Sequence, residues 1–196
     1  MARNGFVISA LLACVWGGTS VTARTADRRP ALEVVMDNRS PSAASELALA
    51  CTRIRFIFDE AGIRVTFVMQ SDGLSVAASG HDRIRLVLLD QRDADLLIAG
   101  EVNRLGFAIP PAYRVYVHYD RVEALARFYH VQPGWFLGVV MAHELAHVLL
   151  PGAGHADAGL MARSLSPDPK KPLAFTRQEA QVMRERLSGE MTLARR

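Results

Sequence analysis

Residues 143–161 read HELAHVLLPGAGHADAGLM, from His143 to Met161. Histidines four positions apart on an α-helix lie one turn apart on the same face, so His143 and His147 can present two imidazole nitrogens to one ion. Glu144, beside the first of them, sits where it can act on a metal-bound water. Pro151 and Gly152 end the helix just past its last apolar position. The chain can then turn back and bring His155 toward the same ion. Three ligands leave a fourth position open, which is the arrangement of a catalytic rather than a structural zinc.

The surrounding helix supports this reading. It runs LGVVMAHELAHVLL from Leu137 to Leu150, apolar almost all round, and is therefore expected to be buried on most of its surface. Two imidazoles and a carboxylate in such a helix cost several kcal/mol unless something pairs with them, and a divalent cation does so directly. A satisfied core pair is thus the weaker explanation for His143 and His147. For His155 alone the alternative is an ordinary solvated loop histidine.

The pattern resembles that of the metzincin clan of zinc metallopeptidases, HExxHxxGxxH followed by a tight turn containing a methionine. His143, Glu144 and His147 match its shared part. His155 follows His147 by eight positions where the clan has six, so two extra residues lie in the ligand loop. The run GAGHADAGLM is also similar to a group of bacterial secreted metzincin-like proteins with a long spacing before the histidine and then Gly-Ile-Met or Gly-Leu-Met. The resemblance implies an α+β zincin-like fold: a mostly parallel twisted sheet with an antiparallel edge strand, packed on helices, and a small C-terminal part after the third ligand. It implies zinc as cofactor, His143, His147 and His155 as metal ligands and Glu144 as the catalytic base. Met161 would pack beneath the site without ligating, its plain alternative being a core methionine.

The altered spacing leaves Asp157 as a competitor for the third ligand, since some zincins use an aspartate there. A neutral histidine leaves more net positive charge at the site, and His155 is preferred because imidazole is the commoner third ligand. Other zincins take a glutamate from a later helix. Glu179 and Glu185 are available for that, although Glu179 is better explained as a helix cap. No tyrosine follows Met161, so oxyanion stabilisation falls to Arg163 or to backbone amides.

Residues 1–23 read as a secretory signal peptide, with Arg3 as the positive n-region, Phe6 to Trp16 as the apolar stretch and Val21-Thr22-Ala23 as the cleavage site. The apolar run is short for a membrane span. Leu11-Leu12-Ala13-Cys14 loosely resembles a lipobox, and a lipid on Cys14 is the less favoured alternative. A short linker, 24–30, leads to a single catalytic domain over 31–190, with an N-terminal part 31–152 and a C-terminal part 153–190; a flexible tail follows over 191–196. Without the leader Cys51 is the only cysteine, so no intramolecular disulfide can form, and the short stretch from Arg24 to the first strand holds no cysteine to block the zinc as in a cysteine-switch zymogen. About 170 residues suffice for one domain with its own core. The net charge of +3 is too mild for nucleic-acid binding, and the basic residues are scattered arginines, with lysine only at Lys170 and Lys171. A peptide or protein substrate is the expected partner, with no transmembrane span after leader cleavage.

Along the chain, Leu32 to Met36 reads as a strand, and Ser40-Pro41 as a capped helix start. Leu47, Cys51, Ile54, Ile57 and Ala61 then mark an apolar helix face that Gly62 stops. Ile63 to Met69 and Ile84 to Leu89 are β-type and complete a crossover unit with parallel strands. Leu105 to Ile109 stops at Pro110-Pro111, as a strand at the rim of a sheet does, and Tyr113 to Tyr119 alternates as its neighbour. By the metzincin resemblance this is the edge strand above the cleft, whose free amides and carbonyls can pair with an extended peptide. His118 within it is read as structural. Asp120 to Tyr129 is expected as a short helix with Asp120 and Glu123 as a capping box. Ser164 to Pro172 reads as a loop, and a last helix begins at Thr176, capped by Glu179, with Ala180, Met183 and Leu187 on its apolar face.

Function follows as metal-assisted peptide-bond hydrolysis. Two rivals are a zincin-fold scaffold that keeps zinc and cleaves little, and a zinc hydrolase of non-peptide amides. Retention of Glu144 argues against the scaffold, because a structural zinc needs no carboxylate base.

Overall fold

β-branched and leucine-rich runs, punctuated by glycine and proline, build a five-stranded sheet. The structure, a computed structural model, describes residues 29–70, 80–97, 104–150, 152–165 and 173–189. The strands are β1 (Ala31–Asn38), β2 (Arg64–Met69), β3 (Arg83–Leu89), β4 (Gly106–Ile109) and β5 (Arg114–His118). Their order is β2-β1-β3-β5-β4. The first four in that order run parallel, and β4 pairs antiparallel with β5 at the edge, Phe107 opposite Tyr116. The helices are α1 (Leu47–Glu60), α2 (Gln91–Leu97), α3 (Tyr119–Phe128), α4 (Pro133–Leu149) and α5 (Arg177–Leu187). The mostly parallel sheet with an antiparallel edge, packed on helices, is the architecture the sequence implies.

Side-chain alternation divides the sheet into two faces. Leu32, Val34, Met36, Ile84, Leu86, Leu88, Val115 and Val117 share one buried core with Ile54, Ile57 and Phe58 of α1 and with α4. The opposite face holds a smaller cluster of Val87, Leu89 and Ala94, with Tyr116 packed on it. The central strands are covered on both faces, as parallel strands generally are.

α4 is the centre of the main core. Every residue from Phe136 to Ala146 is buried, including His143 and Glu144. Its start is fixed by Pro133 in the first turn and by the Glu46 carboxylate, which accepts a 2.8 Å hydrogen bond from the Gly134 amide. Gly138 lets α4 press on α1, since a Cβ there would lie 2.7 Å from the Ala50 carbonyl oxygen and 2.7 Å from Arg53 Cβ. α1 ends as expected at Gly62, whose φ of +73° suits glycine. α5 is closed by the expected capping box: Thr176 accepts from the Glu179 amide, and the Glu179 carboxylate accepts from the Thr176 amide.

Two local expectations are corrected. Ser40-Pro41 starts only a 3-10 turn over Pro41–Ala43, with the Ser40 hydroxyl on Ser42 instead of on a helix amide, and α1 begins at Leu47. The Asp120–Glu123 capping box does not form, because α3 is entered from the strand at Tyr119. The Asp120 carboxylate accepts instead from the Gln91 amide at 2.6 Å, and Glu123 pairs with Arg127 at 2.8 Å. α2 was unanticipated: QRDADLL buries only Ala94 and shows no apolar stripe. The leader at 1–23, the tail and most of the 164–172 loop lie outside the described residues. No helix among the described residues is long and apolar enough to cross a membrane.

Candidate metal centre

The i, i+4 spacing on α4 puts His143 and His147 side by side, their Nε2 atoms 3.0 Å apart. The chain leaves the helix after Leu150 and turns through Gly152, at φ +76°, which brings the exposed His155 back over the pair. One nitrogen from each of the three rings lies within 4.8 Å of the others, and no Asp157 oxygen joins that cluster. The His155 ring stacks on His143 with centroids 5.3 Å apart and meets His147 edge-on at 4.9 Å.

The turn that follows orients the first imidazole. Gly159, at φ +82°, precedes Leu160, whose carbonyl oxygen accepts a 2.7 Å bond from His143 Nδ1. With Nδ1 as the donor, the Nε2 lone pair is left to face the cluster. The Ala156 amide donates to the Met161 carbonyl at 2.8 Å and closes the loop. Met161 is buried in the main core, as the resemblance implies for the turn methionine.

Burial sets the protonation states. It pushes His143 below the usual histidine range, against the bond to Leu160, with the charge of His155 adding to the depression. His147 is pushed down to about 4, first by burial and then by His143, His155 and Arg104. Both are neutral at pH 7, as metal ligation requires. Burial pushes Glu144 up to about 7, and the Arg104 charge works against that rise. Three imidazoles with converging nitrogens fit a divalent cation. A tetrahedral ion holds its nitrogens roughly 3.3 Å apart, a separation the 3.0 Å pair nearly meets.

A cleft of about 460 Å³ opens over these residues, bounded by Leu105 to Ala108 and Pro110 on one side and by Gly152, Ala153 and Arg163 to Leu165 on the other. The edge strand therefore stands beside the cluster, in the position the resemblance implies. His118 does not line the cleft; it is buried on the sheet with neither ring nitrogen hydrogen-bonded. Burial, and then Arg121, push its pKa down, which keeps it neutral. Glu179 is occupied with its cap and stays away from the cluster.

Two residues of the site escaped the sequence reading. At Gly106 a Cβ would lie 2.8 Å from the Tyr116 carbonyl oxygen, 2.9 Å from Glu144 Cγ and 3.1 Å from Glu144 Oε1. Glycine here lets the edge strand lie directly against Glu144, and a glycine inside a strand pattern was the available signal. Arg104 lines the cleft with its guanidinium over the Phe107 ring at 5.6 Å, and nothing in the local pattern marks it.

The sequence matches no protein-family model and no curated protein. Among solved structures, the chain is similar to archaemetzincin from Methanopyrus kandleri, with a TM-score of 0.50 and 16% identity, over 82% of this chain and 98% of that one. It is also similar to a zinc-dependent peptidase from Methanocorpusculum labreanum, with a TM-score of 0.49 and 14% identity, over 78% of this chain and 99% of that one. At 16% identity the likeness to archaemetzincin shows a shared fold.

Proposed function

We propose that this chain is a zinc-dependent metallopeptidase of metzincin-like type, exported by the leader at 1–23, which hydrolyses peptide bonds in the cleft between the edge strand and the histidine cluster. The observation that carries the reading is the convergence of three imidazoles within 4.8 Å beside a buried carboxylate. His143, His147 and His155 would hold the ion, Asp157 lying outside the cluster. When bound, zinc supplies Lewis acidity that acidifies water and polarises a carbonyl.

The chain's own residues do the rest. The outer edge of β4 pairs with an extended peptide and fixes the register of the bond to be cleaved. Positive charge in the cleft favours the ionised form of Glu144, against the burial that pushes it up to about 7. The carboxylate takes the proton of the attacking water and returns it to the leaving amine. Leu160, through His143 Nδ1, keeps the first imidazole in the tautomer that ligation needs.

Glu144→Gln tests the assignment. The variant should bind one zinc as the wild type does, while hydrolysis of a broad peptide library falls about 100- to 10,000-fold. Equal cleavage by both would remove Glu144 as the base. Zinc binding by both with no cleavage by either would favour a scaffold.

A further inference from the structure

Four polar or charged residues are buried among the described ones: Ser40, His118, His143 and Glu144. Ser40 bonds Ser42, and His143 and Glu144 belong to the metal centre. His118 has no such use. It is 1% exposed, and neither ring nitrogen meets a hydrogen-bond partner among the described residues. Strand alternation turns its side chain away from the face of Val117 and toward that of Tyr116, Val87 and Leu89. α2 lies on the same face through Ala94.

α2 is lightly held there. Ala94 is its one buried residue. Its polar ties are the Gln91 amide on the Asp120 carboxylate at 2.6 Å and Asp95 beside Arg121 at 3.8 Å. Asp90, next after the strand partner of His118, accepts from the Asp93 amide at 2.8 Å, and the Asp93 carboxylate faces Arg39 at 3.8 Å. Burial first and then Arg121 act against a proton on His118, while Asp95 and Asp120 act for it, and the balance lies below its ordinary value. The same corner holds the approach to the edge strand. The His118 amide donates to the Leu105 carbonyl at 2.8 Å, and Arg121 donates to the Arg104 carbonyl at 3.1 Å. Gly106, the next residue, lies against Glu144.

A neutral imidazole can stay under such a cover with its donor and acceptor unmet, but an imidazolium has two donors and a full charge and must reach an acceptor or water. We propose that His118 is an acid-sensitive latch: on taking up a proton it leaves the sheet, releases α2 and frees the start of β4 beside Glu144. The sign follows from the direction of the balance. The closed form keeps its full stability above pH 6.5 and loses it as pH falls from there toward the folded value of His118. Only the meaning of this for the cleft rests on the peptidase reading.

The test is amide hydrogen exchange on the full zinc-loaded chain in excess zinc, from about pH 7.5 to about pH 5, corrected for intrinsic exchange rates. The His118 ring is followed in parallel by NMR. In the wild type, opening of residues 91–97 and 105–109 should rise by up to about tenfold for each pH unit below 6.5, until the ring is protonated in the folded chain. His118→Leu has no proton to gain, so both segments should stay closed over the range. Acid release of zinc would loosen both chains alike, and the difference between them isolates the latch. If His118→Leu does not fold, His118→Met takes its place, and the wild-type ring titration is read in either case. A ring that titrates at or above 6.5 in the folded chain overturns the inference. So does opening of α2 that ignores pH in the wild type, or that follows pH equally in the variant. Opening of 91–97 that leaves 105–109 closed also overturns it, because the latch then stops short of the site. Exchange is read without substrate, so absence of hydrolysis would sink the peptidase reading alone.

Discussion

A methyl group at position 106 would occupy space that Glu144 and the Tyr116 carbonyl already fill. Gly106→Ala is therefore expected to keep the three histidines and one bound zinc while shifting the carboxylate and lowering turnover. Forcing the extra carbon into this contact costs about 1–3 kcal/mol of stability. Metal analysis, steady-state kinetics and a thermal melt on the one variant check all three. The third ligand is a second matter decided at single residues. His155→Ala should abolish tight zinc binding, and Asp157→Ala should leave it intact, as read by calorimetric titration. His143, Glu144 and His147 were legible because their spacing alone puts them on neighbouring positions of one helix. Gly106 was not, because its meaning depends on which side chain crosses in front of it.

Elements in this chain are fixed by different kinds of information. α4 was readable from its long apolar run and the Pro133 start, whereas α2 buries a single alanine and offers no stripe to read. The Asp120 carboxylate had the right spacing for a local cap but found the Gln91 amide of a neighbouring element instead. The central strands are tied by a charge cluster of the same non-local kind. Asp37 at the end of β1 accepts from Arg85 of β3 at 2.8 Å and from Arg39 at 3.1 Å. Burial alone would raise the pKa of Asp37, and the bonds from Arg85 and Arg39 outweigh it, leaving the group below its ordinary value of 3.8. A folded pKa below the unfolded one adds stability that is present above pH 3.8 and is lost as pH falls through the folded value. Asp37→Asn should thus lower the urea midpoint at pH 6, and its difference from wild type should shrink as the pH is taken below 3.8.

For the whole molecule, the histidine cluster joins the central helix to the loop at 152–165. An ion bound there stabilises the folded state by linkage, by about 4 kcal/mol when free zinc is ~1,000 times the dissociation constant. A chelator should therefore lower the thermal midpoint of the wild type, and should move that of His143→Ala very little. Differential scanning calorimetry with and without chelator checks this.

The sequence by itself determined what local periodicity can carry: the paired imidazoles and base on one helix, the alternation of strands and helices that makes a parallel sheet, and the proline-bounded strand at its edge. Tertiary structure decided what depends on residues far apart in the chain. It placed His155 and not Asp157 with the pair, because the path of the loop after Gly152 is set by packing and by the Leu160 carbonyl. It brought Gly106 against Glu144, across 38 positions, and it set Arg104 and Arg163 around one cleft. Spacing along a helix is a property of the backbone, while contacts between elements exist only once the core has closed.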